Sequence, residues 1–211
     1  MLSGFFNLDK PFWRWMAKIP EIVILSFLFY ICCIPIVTII PAACALFDAI
    51  SRCTVPGEAG TYKRFFTTFR KELKGGIILS VSWLIIAIVA IYGDVVLQHN
   101  AGANGIFFIM ATVYRTLLLF MVGILGWLIP LESRYYHKFI QLHANALSFS
   151  IAQFPSTLGM LLCTAAVIIF SIAHPYTYFL LAAAPGLVAL IHTPFVERAF
   201  KKAFPEDYTE E

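Results

Sequence analysis

The feature that most constrains this chain is a stretch without any charged residue, which runs from Ile22 to Phe47. A helix needs about 20 consecutive apolar residues to cross the hydrocarbon core of a bilayer. Similar stretches recur along the 211 residues, of which 60% are hydrophobic and only 13% charged. A soluble domain is about 25% charged. The sequence therefore predicts one all-α membrane domain over residues 1–211, a polytopic bundle of transmembrane helices.

Two prolines, Pro35 and Pro41, divide the first apolar stretch. Proline removes a backbone donor and clashes with the preceding helical turn. Residues 22–53 therefore form either one long, kinked span or a helical hairpin. Each arm of a hairpin would have about 15–18 residues, which is short for a bilayer of about 30 Å. We expect five or six spans in the chain, and we favour six with a short or re-entrant second span.

The rest of the chain divides by the same criteria. Amphipathic helices at the membrane surface are predicted for residues 1–20 and 62–74, because aromatic and basic side chains alternate there. Further spans are predicted over residues 75–92, 107–131, 155–173 and 176–196, the last with a kink or a break at Pro185-Gly186, and residues 197–211 form a polar tail. In segment 62–74 the residues expected to dock to lipid or to a partner are Lys63, Arg64, Arg70, Lys71 and Lys74.

The distribution of basic residues predicts the orientation. Lys and Arg occur in 52–74, 132–153 and the tail, whereas 93–106 and the link around His174 have none. Short cytoplasmic links carry the excess of Lys and Arg in membrane proteins, so the basic segments and the C-terminus are predicted to be cytoplasmic. With a hairpin at 22–53, every basic residue except Arg115 lies on that side, and the N-terminus is cytoplasmic as well. A single span would place the N-terminal basic residues outside.

Arg115 lies inside a predicted span, about eight residues or roughly 12 Å from its outer end. A charge at the centre of a bilayer costs at least about 2.5 kcal/mol. Three interpretations follow. The guanidinium reaches the outer headgroups, which we favour; it forms an ion pair with Asp94 or with another span; or it marks a substrate or ion pathway.

Two other polar patterns are candidates for function. Asp48 and Arg52 have the i, i+4 spacing of a salt bridge on a helix. In link 132–153, His137, Gln141 and Asn145 repeat every four residues, opposite apolar side chains. This stripe is typical of the wet face of an interfacial helix. The alternative is a polar groove that offers hydrogen bonds to a sugar or to a loop of a partner.

Motifs that indicate chemistry are missing from the sequence. It has no His-x-x-His, no His-Glu-x-x-His and no Cys-x-x-Cys spacing, so we expect no metal site. It has no Gly-x-Ser-x-Gly and no phosphate-binding loop of the Walker type. The net charge of +3 does not indicate binding to nucleic acid. The sequence predicts a protein without cofactor or metal that is not an enzyme.

Four short segments resemble the YesL family of bacterial membrane proteins, whose members carry a domain of unknown function. They are GFFN at 4–7, CIPIVT at 33–38, FFTTFRKELK at 65–74 and FPSTL at 154–158. The resemblance implies a plasma-membrane protein of Gram-positive-type bacteria, often encoded beside systems for carbohydrate uptake and polysaccharide utilisation. It implies no activity and no catalytic residue.

Two functions are consistent with these patterns. The first, which the resemblance implies, is an accessory component that works beside a carbohydrate permease or a sensor in the membrane, and it is the one we expect. The second is a small transporter or channel for a solute, assembled as a homo-oligomer, in which helices broken at Pro35, Pro41 and Pro185-Gly186 expose backbone groups to the solute.

Overall fold

The computed structural model describes residues 11–101, 105–135, 138–173 and 178–205, and all the regular secondary structure in these ranges is helical. A 3-10 turn, Ile36–Thr38, precedes α2, and a π turn, Ile50–Thr54, follows it. The helices in chain order are α1 (Pro11–Cys32), α2 (Ile39–Ala49), α3 (Thr61–Ala101), α4 (Gly105–Arg134), α5 (Phe139–Ala152), α6 (Phe154–Ala173) and α7 (Tyr178–Ala203).

Four segments in the described part of the chain are long and apolar enough to cross a membrane. They are Ile36–Thr54, Thr61–His99, Gly105–Arg134 and Phe154–Ile172. The prediction of an all-helical protein with membrane-spanning helices is confirmed at this level, although the count of qualifying segments is lower than the five or six predicted spans.

Residues 22–53 form a hairpin, which is one of the two predicted alternatives. Helix α1 ends at Cys32, and the hydroxyl of Thr38 donates to the carbonyls of Cys32 and Pro35, which closes the turn. Pro41 lies in the first turn of α2, where the missing N–H has no intrahelical acceptor in any case. The Lys18 ammonium donates to the Val55 carbonyl at 2.7 Å. The chain therefore returns to the end of the bundle from which it started.

Helix α2 forms the centre of the bundle, in contact with α1, α3, α4 and α7. The segment Ile36–Thr54 contains α2, and 72% of its most apolar part is buried inside the protein. The corresponding values are 17% for α3 and 11% for α4. Small residues such as Ala42, Ala45 and Ala49 are fully buried, which lets neighbouring backbones approach closely. Because other helices surround α2, its short length does not have to match the thickness of the bilayer.

Helix α3 corrects a predicted boundary. The expected surface helix at 62–74 and the span at 75–92 are one continuous helix of 41 residues, about 60 Å long. The pair Gly75-Gly76 does not start a new helix. Instead, Gly76 allows the ring of Pro41 to approach so closely that a Cβ on this glycine would lie 2.5 Å from the proline Cγ. Segment 62–74 therefore packs along α2 and does not lie flat as a separate helix.

Helices α2 and α3 run antiparallel where they contact each other. At one end Asp48 contacts Arg64 and Thr68, and at the other the Ile40 N–H donates to the hydroxyl of Ser80 at 3.1 Å. The hairpin turn thus lies beside the middle of α3. The C-terminal part of α3 continues beyond that level and packs against α4, where the Tyr114 hydroxyl donates to the Ala90 carbonyl at 3.0 Å.

Helix α7 is continuous through Pro185 and Gly186, so of the two predicted alternatives, a kink or a break, the break does not occur. The Gly186 N–H donates to the hydroxyl of Ser26 on α1 at 3.1 Å. This backbone group, which the transporter hypothesis offered to a solute, is thus bound within the protein. Helix α7 also extends to Ala203, so part of the predicted tail is helical.

The α2–α3 contact makes a testable prediction. We expect Gly76→Ala to lower the free energy of unfolding by about 1–3 kcal/mol, because the new methyl overlaps the rigid ring of Pro41. Gly126→Ala is the matched control, since its Cβ would meet only the flexible end of Met160 at 3.5 Å. Detergent-titration unfolding of the purified protein measures both. Equal stability of the two variants would contradict the proposed contact.

Candidate functional site: a basic groove at one end of the bundle

A groove of about 510 Å³ opens where α2 ends, α3 begins and α4 ends. It contains two carboxylates, Asp48 and Glu58. Its basic side chains are Arg52, Lys63, Arg64, Lys71 and Arg134. We call this cavity the basic groove.

Asp48 organises the groove. Its side chain is only 2% exposed, yet it accepts from Arg64 Nε at 2.8 Å, Arg64 Nη2 at 3.3 Å and Thr68 Oγ1 at 2.7 Å. The predicted spacing with Arg52 also corresponds to a real ion pair, with Nε 3.2 Å from Asp48 Oδ1. A buried carboxylate is stable only when it is paired and hydrogen-bonded, and here both oxygens have partners. The two guanidinium groups are thereby held at the wall of the groove.

The sequence did not reveal the partners of Asp48 on α3. Arg64 and Thr68 are four residues apart and so lie on the same side of α3. That side faces α2 because α3 packs along it, which no local pattern indicated. The available signal was Asp48 itself, a single acid at the end of a long apolar stretch.

Two further ion pairs involve basic residues of the groove. Lys71 Nζ lies 3.2 Å from Glu72 Oε1. Arg134 on α4 forms an ion pair with Glu197 on α7, and its guanidinium carbon is 5.4 Å from the centre of the Phe200 ring. The Arg134–Glu197 ion pair connects α7 to the wall of the basic groove. The sequence analysis did not single out Arg134, Glu72 or Glu197.

The predicted docking residues divide between those that line the basic groove and those that lie outside it. Lys63, Arg64 and Lys71 line the basic groove, and Arg64 is held by Asp48 rather than available to lipid. Arg70 and Lys74 are exposed and do not line the groove; together with the exposed Tyr62 and Phe66 they recur every four residues along α3. We call these four residues (Tyr62, Phe66, Arg70 and Lys74) the outer face.

Arg115 forms the ion pair with Asp94 that was the second of its three interpretations. Arg115 Nε lies 2.9 Å from Asp94 Oδ1, and Gln98 Nε2 donates to Asp94 Oδ2 at 2.6 Å. Asp94 and Gln98 belong to α3 rather than to a link. Asp94 is thirty positions after Arg64 on the same helix, about 45 Å away. The pair therefore connects α3 to α4 far from the basic groove.

The predicted polar stripe lies on α5, apart from its first member. Gln141 is exposed and Asn145 is half-buried, while Leu142 and Ala146 face the protein. His137 lies outside the described residues. Neighbouring His143 accepts from Trp83 Nε1 at 3.2 Å, so its proton is on Nδ1, which donates to the Phe139 carbonyl at 2.8 Å. Gln141 and Asn145 do not line the basic groove.

Residues 22–94 match a family model described as a protein of unknown function, DUF624. The match covers less than half of the chain, but it includes α2, most of α3 and the groove residues from Asp48 to Lys71. No curated protein and no solved structure matches the chain. The match supports a relationship to a family of uncharacterised domains. Within the described ranges, no group of His, Cys, Asp and Glu side chains has the arrangement of a metal site.

The Arg115–Asp94 pair makes a second prediction. We expect Arg115→Met and Asp94→Leu each to lower the free energy of unfolding by about 1–3 kcal/mol, because each leaves a charged partner behind in an apolar region. The double variant is expected to be closer to the wild type than either single variant. A double-mutant cycle in detergent measures the coupling. Simple additivity of the two losses would mean that the pair contributes nothing to stability.

Proposed function

We propose that this protein is a non-enzymatic accessory component of a bacterial plasma membrane, working beside a membrane protein of carbohydrate uptake or sensing. The resemblance of its short motifs to the YesL family supports the connection with carbohydrate uptake. The match of residues 22–94 to a family of uncharacterised domains is consistent with that resemblance. The observation that carries the proposal is the outer face of α3.

The residues of the outer face do not take part in the core of the protein. Helix α3 turns Phe65, Thr68 and Glu72 toward the interior, all of them buried. On another side of the same turns, Tyr62 is 41% exposed and Phe66 is 45% exposed. Exposed aromatic residues next to arginine are typical of the residues that carry binding energy in protein interfaces.

The position of this face along α3 favours a protein partner over lipid. Large apolar side chains are exposed on α3 from Ile78 to Val96, a length of about 27 Å that suits the hydrocarbon core. Phe66 lies about 18 Å and Tyr62 about 24 Å before Ile78 along the helix. The headgroup layer is only roughly 5–8 Å thick on each side, and an ordinary tilt of about 20° changes these distances little. On α3 the aromatic part of the outer face therefore lies outside the long apolar stretch, which favours a protein partner over lipid.

The topology that we propose is based on the end of the bundle where the basic groove lies. Lys18 contacts Val55, and the basic groove gathers side chains from α3, α4 and the end of α2. With this end in the cytoplasm, the chain obeys the rule that basic residues stay inside. The α1–α2 hairpin then enters from the cytoplasmic side and returns without crossing, and both termini are cytoplasmic.

Cysteine labelling tests the topology. In a cysteine-free variant we expect Gln98→Cys to react with a membrane-impermeant maleimide added to intact cells. Lys71→Cys and Lys202→Cys are expected to react only in inside-out vesicles. All three positions are exposed, so a lack of access reflects the membrane and not burial. Labelling of Lys71→Cys from outside the cell would contradict the proposed orientation.

Photocrosslinking tests the accessory function. A photoreactive phenylalanine at Phe66 is expected to give one discrete protein adduct in native membranes, identified by mass spectrometry as a permease or sensor of carbohydrate uptake. The same residue at Phe108, which is 65% exposed in the apolar part of α4, is the control and is expected to give no such adduct. The Arg70→Gln variant should reduce the yield at Phe66.

Other outcomes of this experiment decide against the proposal. An adduct with a second copy of this chain would replace the accessory function by a homo-oligomer. A discrete adduct with a protein unrelated to carbohydrate would remove the connection with uptake. No protein adduct at Phe66 would mean that the outer face has no partner.

A further inference from the structure

We propose that the basic groove is a binding site for a soluble, phosphate-bearing anion on the cytoplasmic side. None of the four residues of the outer face lines the groove, so this inference does not depend on the partner proposed above. Three observations lead to it: unbalanced charge, the position of a helix N-terminus, and distance from the lipid.

The charges of the groove are not balanced by its own carboxylates. One carboxylate, Asp48, serves two guanidinium groups, those of Arg52 and Arg64. Lys63 adds another positive charge, and no ion pair is recorded for it in the ranges that the structure describes. Glu58 is exposed and offsets only part of this excess. An anion bound in the groove would complete the neutralisation.

The geometry of the two guanidinium groups suits phosphate. Arg52 and Arg64 remain 44% and 40% exposed although Asp48 holds them. Arg64 uses its Nε and one terminal nitrogen on Asp48, so its other terminal N–H groups are available to the groove. A guanidinium offers a planar set of donors that matches the oxygens of a phosphate. Because Asp48 fixes both groups in advance, a ligand does not have to order them.

The N-terminus of α3 opens into the same cavity. Gly60 and Lys63, on either side of the helix start at Thr61, line the groove. The first N–H groups of a helix have no acceptors within the helix, and the helix dipole places partial positive charge there. No acidic residue lies in the first turn to offset it. Gly60 has φ +98°, and a Cβ there would meet nothing within 4 Å, so no neighbouring atom crowds that side of the helix start.

The source of the phosphate follows from the position of the groove. Arg64 precedes Ile78, the first exposed residue of the apolar stretch of α3, by about 21 Å along the helix. This distance exceeds the thickness of the headgroup layer, roughly 5–8 Å. The cavity of about 510 Å³ also exceeds what a bare phosphate fills. The distance along α3 favours a phosphorylated small molecule from the cytoplasm over a lipid headgroup, and the comparison of lipids below decides between the two sources.

Inorganic phosphate is the probe for the test, with the full chain purified in a non-ionic detergent. We expect phosphate to raise the thermal midpoint more than chloride does at equal ionic strength, which removes general screening as the cause. Lys63→Gln and, separately, Arg52→Gln should each weaken phosphate binding about tenfold, as expected for one charge-assisted hydrogen bond. Lys74→Gln removes the same charge from the same helix outside the groove, and its binding should be unchanged. Size-exclusion profiles show whether each variant is folded.

A comparison of two lipid compositions identifies the source of the phosphate. In nanodiscs of phosphatidylcholine or of phosphatidylglycerol, the affinity for inorganic phosphate should be the same if the ligand is soluble. Loss of phosphate binding only in phosphatidylglycerol would show that a lipid headgroup occupies the groove and would overturn the soluble source. A response to phosphate no larger than that to chloride would overturn the site itself. An equal loss of binding in Lys74→Gln would do the same, because it would reveal unspecific attraction.

Discussion

The close packing of α2 against α3 is the contact on which the rest of the structure depends. Glycine at position 76 and the buried alanines of α2 let the two backbones approach, and this places Asp48 next to Arg64 and Thr68. Without that approach Asp48 would lose its two partners on α3 and keep only Arg52. The same contact keeps α2 away from lipid and directs the outer face of α3 toward solvent.

Much of the fold could be predicted because bilayers impose simple rules on a sequence. The helical class, the hairpin turn near Pro35 and the gathering of basic residues at one end follow from apolar length, proline and positive charge. The boundary at Gly75 was predicted wrongly, because glycine pairs usually weaken helices. Here the tertiary contact with Pro41 outweighs that local tendency.

The candidate site was only partly visible in the sequence. Spacing on one helix revealed the Asp48–Arg52 pair, since i, i+4 neighbours are local. Arg64 and Arg134 reach the same cavity from other helices, and no periodicity records which helices become neighbours. For Arg115 the difficulty was different, since Asp94 was assigned to a link. The length of α3 decided that question, because the helix continues to Ala101, past the predicted end at residue 92, and so includes Asp94.

The length of α3 has a mechanical consequence. A single uninterrupted helix carries the Arg115–Asp94 pair on its distal part and the Asp48–Arg64 contact near its beginning. Rotation of α3 about its axis, or a change in its tilt, therefore moves both ends of the helix together. An event that repositions the distal part alters the spacing of the guanidinium groups at the other end, although the two places share no side-chain contact.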